Sequence, residues 1–183
     1  MTMSFTIHTP ETAPAGSKPL LDASIKAFGM VPNLHGVFAE SPQALEAYQR
    51  LHQLFSDTSL DAEELTVVWQ TINVEHECHY CVPAHTAIAH SMKVDAAIID
   101  ALRNRTALPT AKLQTLRETT LALVRNRGRL SDDELAKFRA VGYGNQQLLE
   151  IVLGIAQKVM SNYTNHLADT PVDAPFQKFV NAA

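Results

Sequence analysis

The sequence predicts an all-α fold in a single domain. Three observations support this: apolar residues recur at helical rather than alternating spacing, helix-start signals precede those stretches, and the Asn-Gly or Asp-Gly turns that mark hairpins are absent. With 183 residues, 46% of them hydrophobic, the chain is long enough to bury one core.

Residues 1–20, rich in Pro, Thr and Ser, read as an extended arm ahead of a helical domain covering 21–183. A short helix is expected from about Asp22 to Phe28, interrupted by Gly29, Pro32 and Asn33. Ser41 followed by Pro42 matches an N-cap with proline at the first helical position, and Leu45, Tyr48, Leu51, Leu54 and Phe55 continue that helix to about Ser56. Asp61 and Glu64 have the spacing of a capping arrangement, before the stripe Leu65, Val68, Trp69 and Ile72. Helical pattern resumes from His79 to Ser91 and again from Val94 to Leu102. Pro109 then opens a helix lined by Leu113, Leu116, Thr120, Leu123 and Val124, with Gly128 as its stop. Ser131 and Glu134 form a second capping-box sequence. A long helix from Asn145 to Leu167 follows, with Leu148, Ile151, Val152, Ile155, Val159 and Tyr163 as its apolar arc, in a central or subunit-facing position. Asp173 to Val180 reads as a short docking helix.

Charge narrows the function classes. Fifteen basic and 19 acidic residues give a net charge of -4 and form no basic stripe, which argues against nucleic acid as a partner. No apolar run approaches the ~20 residues that span a bilayer, and Met1 to Pro14 lacks the pattern of a secretory signal. The expectation is a soluble, cytoplasmic protein with no membrane partner and no cofactor.

Both cysteines lie within four residues, so they cannot bridge distant elements, and the pair reads as chemical. In the run Glu75-His-Glu-Cys78-His-Tyr-Cys81-Val-Pro83-Ala-His85, helical geometry would place Cys78, Cys81 and His85 within roughly a 60° arc. Pro83 is tolerated only in a first turn, so a helix should begin between Cys78 and Cys81. Its free N–H groups and dipole favour a thiolate, and His85 is placed to accept or relay the proton. Such a thiolate can attack the O–O bond of a hydroperoxide to give a sulfenic acid, which the second thiol condenses to a disulfide. Which cysteine attacks is left open. A zinc site is the rival reading, with Cys78, Cys81 and His85 as ligands and His76, His79 or Glu75 as a fourth.

The pattern Cys78-x-x-Cys81-x-x-x-His85, within Tyr80-Cys-Val-Pro-Ala-His-Thr86, resembles the signature of the alkylhydroperoxidase D and carboxymuconolactone decarboxylase superfamily. Gly29-Met-Val-Pro-Asn33 and Ser41-Pro42 resemble its peroxidase-related branch, and the likeness extends from about Phe28 to His166. The resemblance implies an all-helical bundle with its CxxC motif at a helix N-terminus. It also implies a homo-oligomer, a hydroperoxide substrate, and a dithiol reduced by a thiol or a redox partner protein. The decarboxylase branch offers a lyase acting on a carboxylated lactone as the alternative, and a non-catalytic zinc-binding or interaction module is a third reading. One departure is visible: aligned without gaps, the family's proton-relay glutamate, twelve residues before the first cysteine, falls on Thr66. Glu75, one helical turn before Cys78 if the helix persists, is the preferred substitute, and Glu64 the next.

His76, His79 and His90 lack register with the thiols and are expected at the surface or behind the site. His166, Asn162 and Asn165 are expected first as capping or interface polarity, with approach to the site as the alternative.

Overall fold

The computed structural model describes residues 5–180, and among these the regular structure is entirely helical. The helices are α1 (Lys18–Phe28), α2 (Asn33–Phe38), α3 (Pro42–Ser56), α4 (Ala62–Glu75), α5 (Cys81–Ser91), α6 (Ala96–Arg103), α7 (Ala111–Arg125), α8 (Asp132–Ala140) and α9 (Asn145–Ala168), followed by a 3-10 helix, Ala174–Phe179. None is long and apolar enough to cross a membrane.

The capping signals hold residue by residue. Ser41 accepts from the Ala44 N–H, and Asp61–Glu64 and Ser131–Glu134 both form reciprocal capping boxes. The first helix starts earlier than expected, at Lys18, because Pro19 sits in its first turn, where a missing N–H costs nothing. Ser17, just ahead of it, is buried and donates to the Ala39 carbonyl at 2.7 Å, which ties the arm to α2.

Helix α4 is the axis of the bundle. Its residues from Glu64 to Asn73 are all buried, as expected of a helix ringed by α5, α6, α7 and α9. Two apolar cores lie around it. The larger gathers Trp69 and Ile72 of α4 with side chains of α6, α7 and Phe138 of α8. The smaller joins Leu21 of α1, Leu34 and Phe38 of α2, and Leu45 and Tyr48 of α3 to Cys78, Tyr80, Cys81 and Ala84. The dithiol is therefore part of a core.

Helix α9 departs from expectation. Ile151 is buried, but Val152 and Tyr163 are exposed, and the buried face is Gly154, Gln157, Lys158, Ser161, Asn162 and Asn165. Polar side chains face inward here because they satisfy one another and the α4–α5 corner. Gly154 provides the closest approach: a Cβ there would lie 2.7 Å from the Phe55 ring of α3 and 3.1 Å from Val68 of α4. Gly154→Val is therefore expected to lower unfolding free energy by about 2 kcal/mol or more through overpacking, read as a lower urea midpoint. An unchanged midpoint would contradict this close approach.

Candidate active site

The corner between α4 and α5 builds the site. Helix α4 stops at Glu75 because Glu77 takes a left-handed conformation (φ 53°), and the Cys78 N–H donates to the Asn73 carbonyl at 3.0 Å. Helix α5 then starts at Cys81, with Pro83 third in its first turn. The Cys81 N–H, free of helical bonding at this end, donates to Cys78 Sγ at 3.3 Å. Both residues are free thiols, and from α9 the Asn165 amide reaches Cys81 Sγ at 3.2 Å and Cys78 Sγ at 3.8 Å.

The two sulfurs have unequal surroundings. Burial pushes the Cys81 thiol up, but hydrogen bonding from the Cys78 thiol, the Lys158 charge, and the Ser161 and Asn162 side chains outweigh it. Cys81 is held well below the ordinary thiol range, and Cys78 is raised, first by its hydrogen bond to Cys81 and then by burial. Their placement differs too: Cys81 lines a cavity of about 290 Å³, whereas Cys78 is fully buried and is not among its lining residues.

His85 lines the same cavity one turn along α5. Its Nε2 lies 2.8 Å from Lys158 Nζ, and its buried Nδ1 has no hydrogen-bond partner among the described residues. Burial, then the charge of Lys158 and the neighbouring His52, hold its pKa well below the usual range, so the ring is neutral. Trp69 packs against it with ring centroids 4.9 Å apart, stacks on His52, and donates Nε1–H to Gln157. The remaining cavity wall is mainly apolar and aromatic, with Phe28, Met30, Leu34, Tyr48, Tyr80 and Phe176 prominent, and among the described residues it includes no Lys, Arg, Asp or Glu. The 3-10 helix brings Phe176 to this wall. It is fixed there by Asp173, which accepts from the Tyr80 hydroxyl and the Asn33 N–H.

Three of the four residues expected in the site meet here: Cys78, Cys81 and His85. His85 bonds to Lys158 rather than to a sulfur. Glu75, the expected second acid, does not join them. The break at Glu77 ends the helical register that would have aligned it with Cys78, and Arg125 holds its carboxylate at 2.6 and 2.8 Å beside a separate small cavity lined also by Arg105 and Arg117. Glu64 is likewise committed, accepting from the Asp61 N–H, the Tyr143 hydroxyl and Lys112. Thr66 donates back to the Ala62 carbonyl. The fourth ligands of the zinc reading are dispersed, with His76 bonded to Asn162 and His79 to the Thr170 carbonyl. Among the described residues, no group of three or more His, Cys, Asp and Glu is placed to hold a metal ion. His90 stacks on Phe179, and His166 is exposed.

Sequence reasoning missed Lys158. The polar interruption Gln157-Lys158 within an apolar helix was the available signal. Asn165 and Asn162 take the site-approaching alternative. Asn162 donates to Asn73, which donates in turn to Gln70, a buried chain bracing the α4–α5 corner.

Neither a protein-family model nor a curated protein sequence matches the chain. Solved structures do. One described as alkylhydroperoxidase AhpD core, an uncharacterized peroxidase-related protein from Ralstonia eutropha JMP134, superposes with a TM-score of 0.83 at 16% identity, covering 96% of this chain and 95% of that one. An uncharacterized peroxidase-related protein from Silicibacter sp. TM1040 gives 0.80 at 17% identity, covering 96% and 93%. The debrominase Bmp8, in complex with 2,3,4-tribromopyrrole, gives 0.75 at 16% identity, covering 99% of each chain. The chain has the alkylhydroperoxidase D-like fold.

Because Glu75 is held by Arg125 away from the thiols, Glu75→Gln is expected to leave the rate of Cys81 alkylation by iodoacetamide at pH 7 within about 2-fold. The half-exposed ion pair should cost less than about 1 kcal/mol of stability when lost. A 10-fold drop in alkylation would show that Glu75 serves the dithiol.

Proposed function

We propose that this protein is a thiol-dependent oxidoreductase of the peroxidase type, with Cys81 as the attacking thiolate and Cys78 as the resolving thiol. The observation that carries this reading is the placement of Cys81 on the wall of an apolar cavity with Cys78 immediately behind it, both within reach of one Asn165 amide. The Cys81 thiolate attacks the outer oxygen of a hydroperoxide. An S–O bond forms, the O–O bond breaks, and the alkoxide leaves and takes up a proton as the alcohol. The thiol of Cys78 then attacks the sulfenic sulfur, an S–S bond forms and water departs. The hydrogen bond to Cys81 is the first of the influences that keep Cys78 protonated, and oxidation of Cys81 removes the thiolate charge that strengthens it. An external thiol or redox partner protein supplies the two electrons that reopen the disulfide, which suits a reducing compartment such as the cytoplasm.

The lyase alternative is less well supported, because a carboxylated lactone calls for cationic groups and the cavity wall presents none. A second reading draws on the same wall. A neutral, flat arene fits a cavity built largely of aromatic and apolar side chains, and a debrominase of this fold forms a complex with 2,3,4-tribromopyrrole. The dithiol could then reduce a carbon–bromine bond, releasing bromide and a proton as Cys78 and Cys81 become a disulfide. Self-association is part of the proposal, supported by exposed Leu149, Val152, Tyr163 and Leu167 along α9, which a second copy would cover.

Thiol titration of the reduced protein with cumene hydroperoxide tests the first reading. Wild type is expected to lose two thiols per chain, Cys78→Ser to stop at a sulfenic acid on Cys81, and Cys81→Ser to lose none. Thiol loss with a bromopyrrole and free bromide, but not with hydroperoxide, would favour the second reading. No loss with either would contradict both.

A further inference from the structure

A lysine with no exposed surface normally sits against a carboxylate, since burying an ammonium alone is costly. Lys158 makes no ion pair with a carboxylate among the described residues. The titratable groups that act on it are His85 and Cys81 from α5, Cys78 from the preceding turn and His52 from α3; Tyr48 of α3 acts on the two thiols, and from α4 the neutral Trp69 and Asn73 bond to Gln157 and Asn162 on either side of it along α9. His52 and His85 are held neutral by burial, and Tyr48 is pushed up by it. The acid that can balance the ammonium is therefore the Cys81 thiol. Burial lowers the Lys158 pKa, and the Cys81 and Cys78 sulfurs raise it; one proton held between Lys158 and Cys81 leaves an overall neutral pair, an ammonium beside a thiolate when it sits on nitrogen.

That amine also touches His85. An ammonium donating to Nε2 at 2.8 Å leaves the imidazole proton on Nδ1, the nitrogen with no protein partner on a ring that lines the cavity. A buried, unpartnered N–H beside the attacking sulfur is placed for a ligand atom. The expected relay carboxylates are elsewhere: Thr66 stands in one place, and Glu75 and Glu64 are held by Arg125 and Lys112.

We propose that Lys158 stands in for the relay carboxylate, holding the proton that leaves Cys81 and passing it through His85 to the oxygen released from the hydroperoxide. This rests on the peroxidase reading above. As the thiolate attacks and the O–O bond breaks, His85 gives its Nδ1 proton to the departing alkoxide and takes one from Lys158 at Nε2. The sulfur is oxidised by two electrons, the peroxide is reduced to alcohol and sulfenic acid, and Lys158 is left as the free amine. When a thiol later reduces the disulfide and Cys81 returns as thiolate, a proton entering at Nδ1 from the cavity drives the Nε2 proton back to Lys158. His85 is the catalytic acid, and Lys158 acts through it as a positioning residue and proton reservoir.

The test uses full-length reduced protein, with folding checked by circular dichroism, as wild type, Lys158→Met and Lys158→Gln. Gln can still hydrogen-bond to His85 but carries no exchangeable charge, so a purely structural role would be rescued by it. Iodoacetamide labelling of Cys81, located by mass spectrometry, is followed from pH 5 to 10. Wild type should be near its plateau by about pH 7, whereas both variants should titrate like an ordinary thiol near pH 8.5 and label about 10-fold or more slowly at pH 7. At pH 8, with each rate divided by the Cys81 thiolate fraction taken from the labelling profile, both variants should oxidise about 10-fold or more slowly than wild type with cumene hydroperoxide. With peracetic acid they should stay within about 3-fold, because a carboxylate leaves without needing a proton. Superimposable labelling profiles, or a wild-type Cys81 that itself titrates near 8.5, overturn the shared proton even if a variant fails to fold. Equal losses with both oxidants overturn the relay. A wild type that labels as expected yet resists both oxidants sustains the Cys81–Lys158 pair and overturns the peroxidase reading instead.

Discussion

Lys158, sealed inside the bundle with no carboxylate against it among the described residues, carries a large desolvation cost that pushes its pKa down, while the neighbouring thiols push it the other way. It lies 2.8 Å from a neutral imidazole and beside a pair of thiols, with Ser161, Asn162 and Asn165 from its own helix in the same pocket. Each neighbour answers one need. Under the proposed pairing, the sulfur of Cys81 provides the compensating charge and His85 accepts a hydrogen bond, while the Asn165 amide reaches both sulfurs. Removing the lysine would leave a buried thiolate without its cation, and removing the thiols would leave the lysine without an anion.

The fold follows from placing four helices around that contact. Helix α4 is buried along nearly its whole length and ends in the left-handed Glu77, so the chain turns and α5 begins with Cys81. Helix α9 crosses close to α3 and α4 because Gly154 leaves room for Phe55, and this brings Lys158 to His85 and Asn165 to the sulfurs. The 3-10 helix closes one side of the cavity, pinned by Asp173 to Tyr80 and Asn33. The result is a sulfur, that of Cys81, on the wall of an apolar cavity and backed by polar side chains of α9.

Much of this was legible in the sequence. The Asp61–Glu64 and Ser131–Glu134 caps, the stripe Leu65, Val68, Trp69 and Ile72, and a helix start forced by Pro83 are local signals written in adjacent residues, and local physics decides them. The register of Cys78, Cys81 and His85 is local as well. Glu75 was misplaced because its alignment depended on helix continuing through Glu77, where the backbone instead turns left-handed. Lys158 lies 73 residues from His85, beyond the reach of periodicity. The long apolar arc of α9 pointed elsewhere, since Val152 and Tyr163 face outward while the polar side of the helix is buried. Polar side chains buried in a network are the residues that hydrophobic patterning is least able to find, and here they surround the chemistry.

The most direct measurement is the tautomer of His85, read from long-range proton–nitrogen correlations on protein labelled with nitrogen-15 histidine and assigned with His85→Ala. An ammonium on Lys158 donating to Nε2 predicts that the neutral ring carries its proton on Nδ1 in the reduced protein at pH 7. A spectrum showing the proton on Nε2, or a charged ring, would contradict the account.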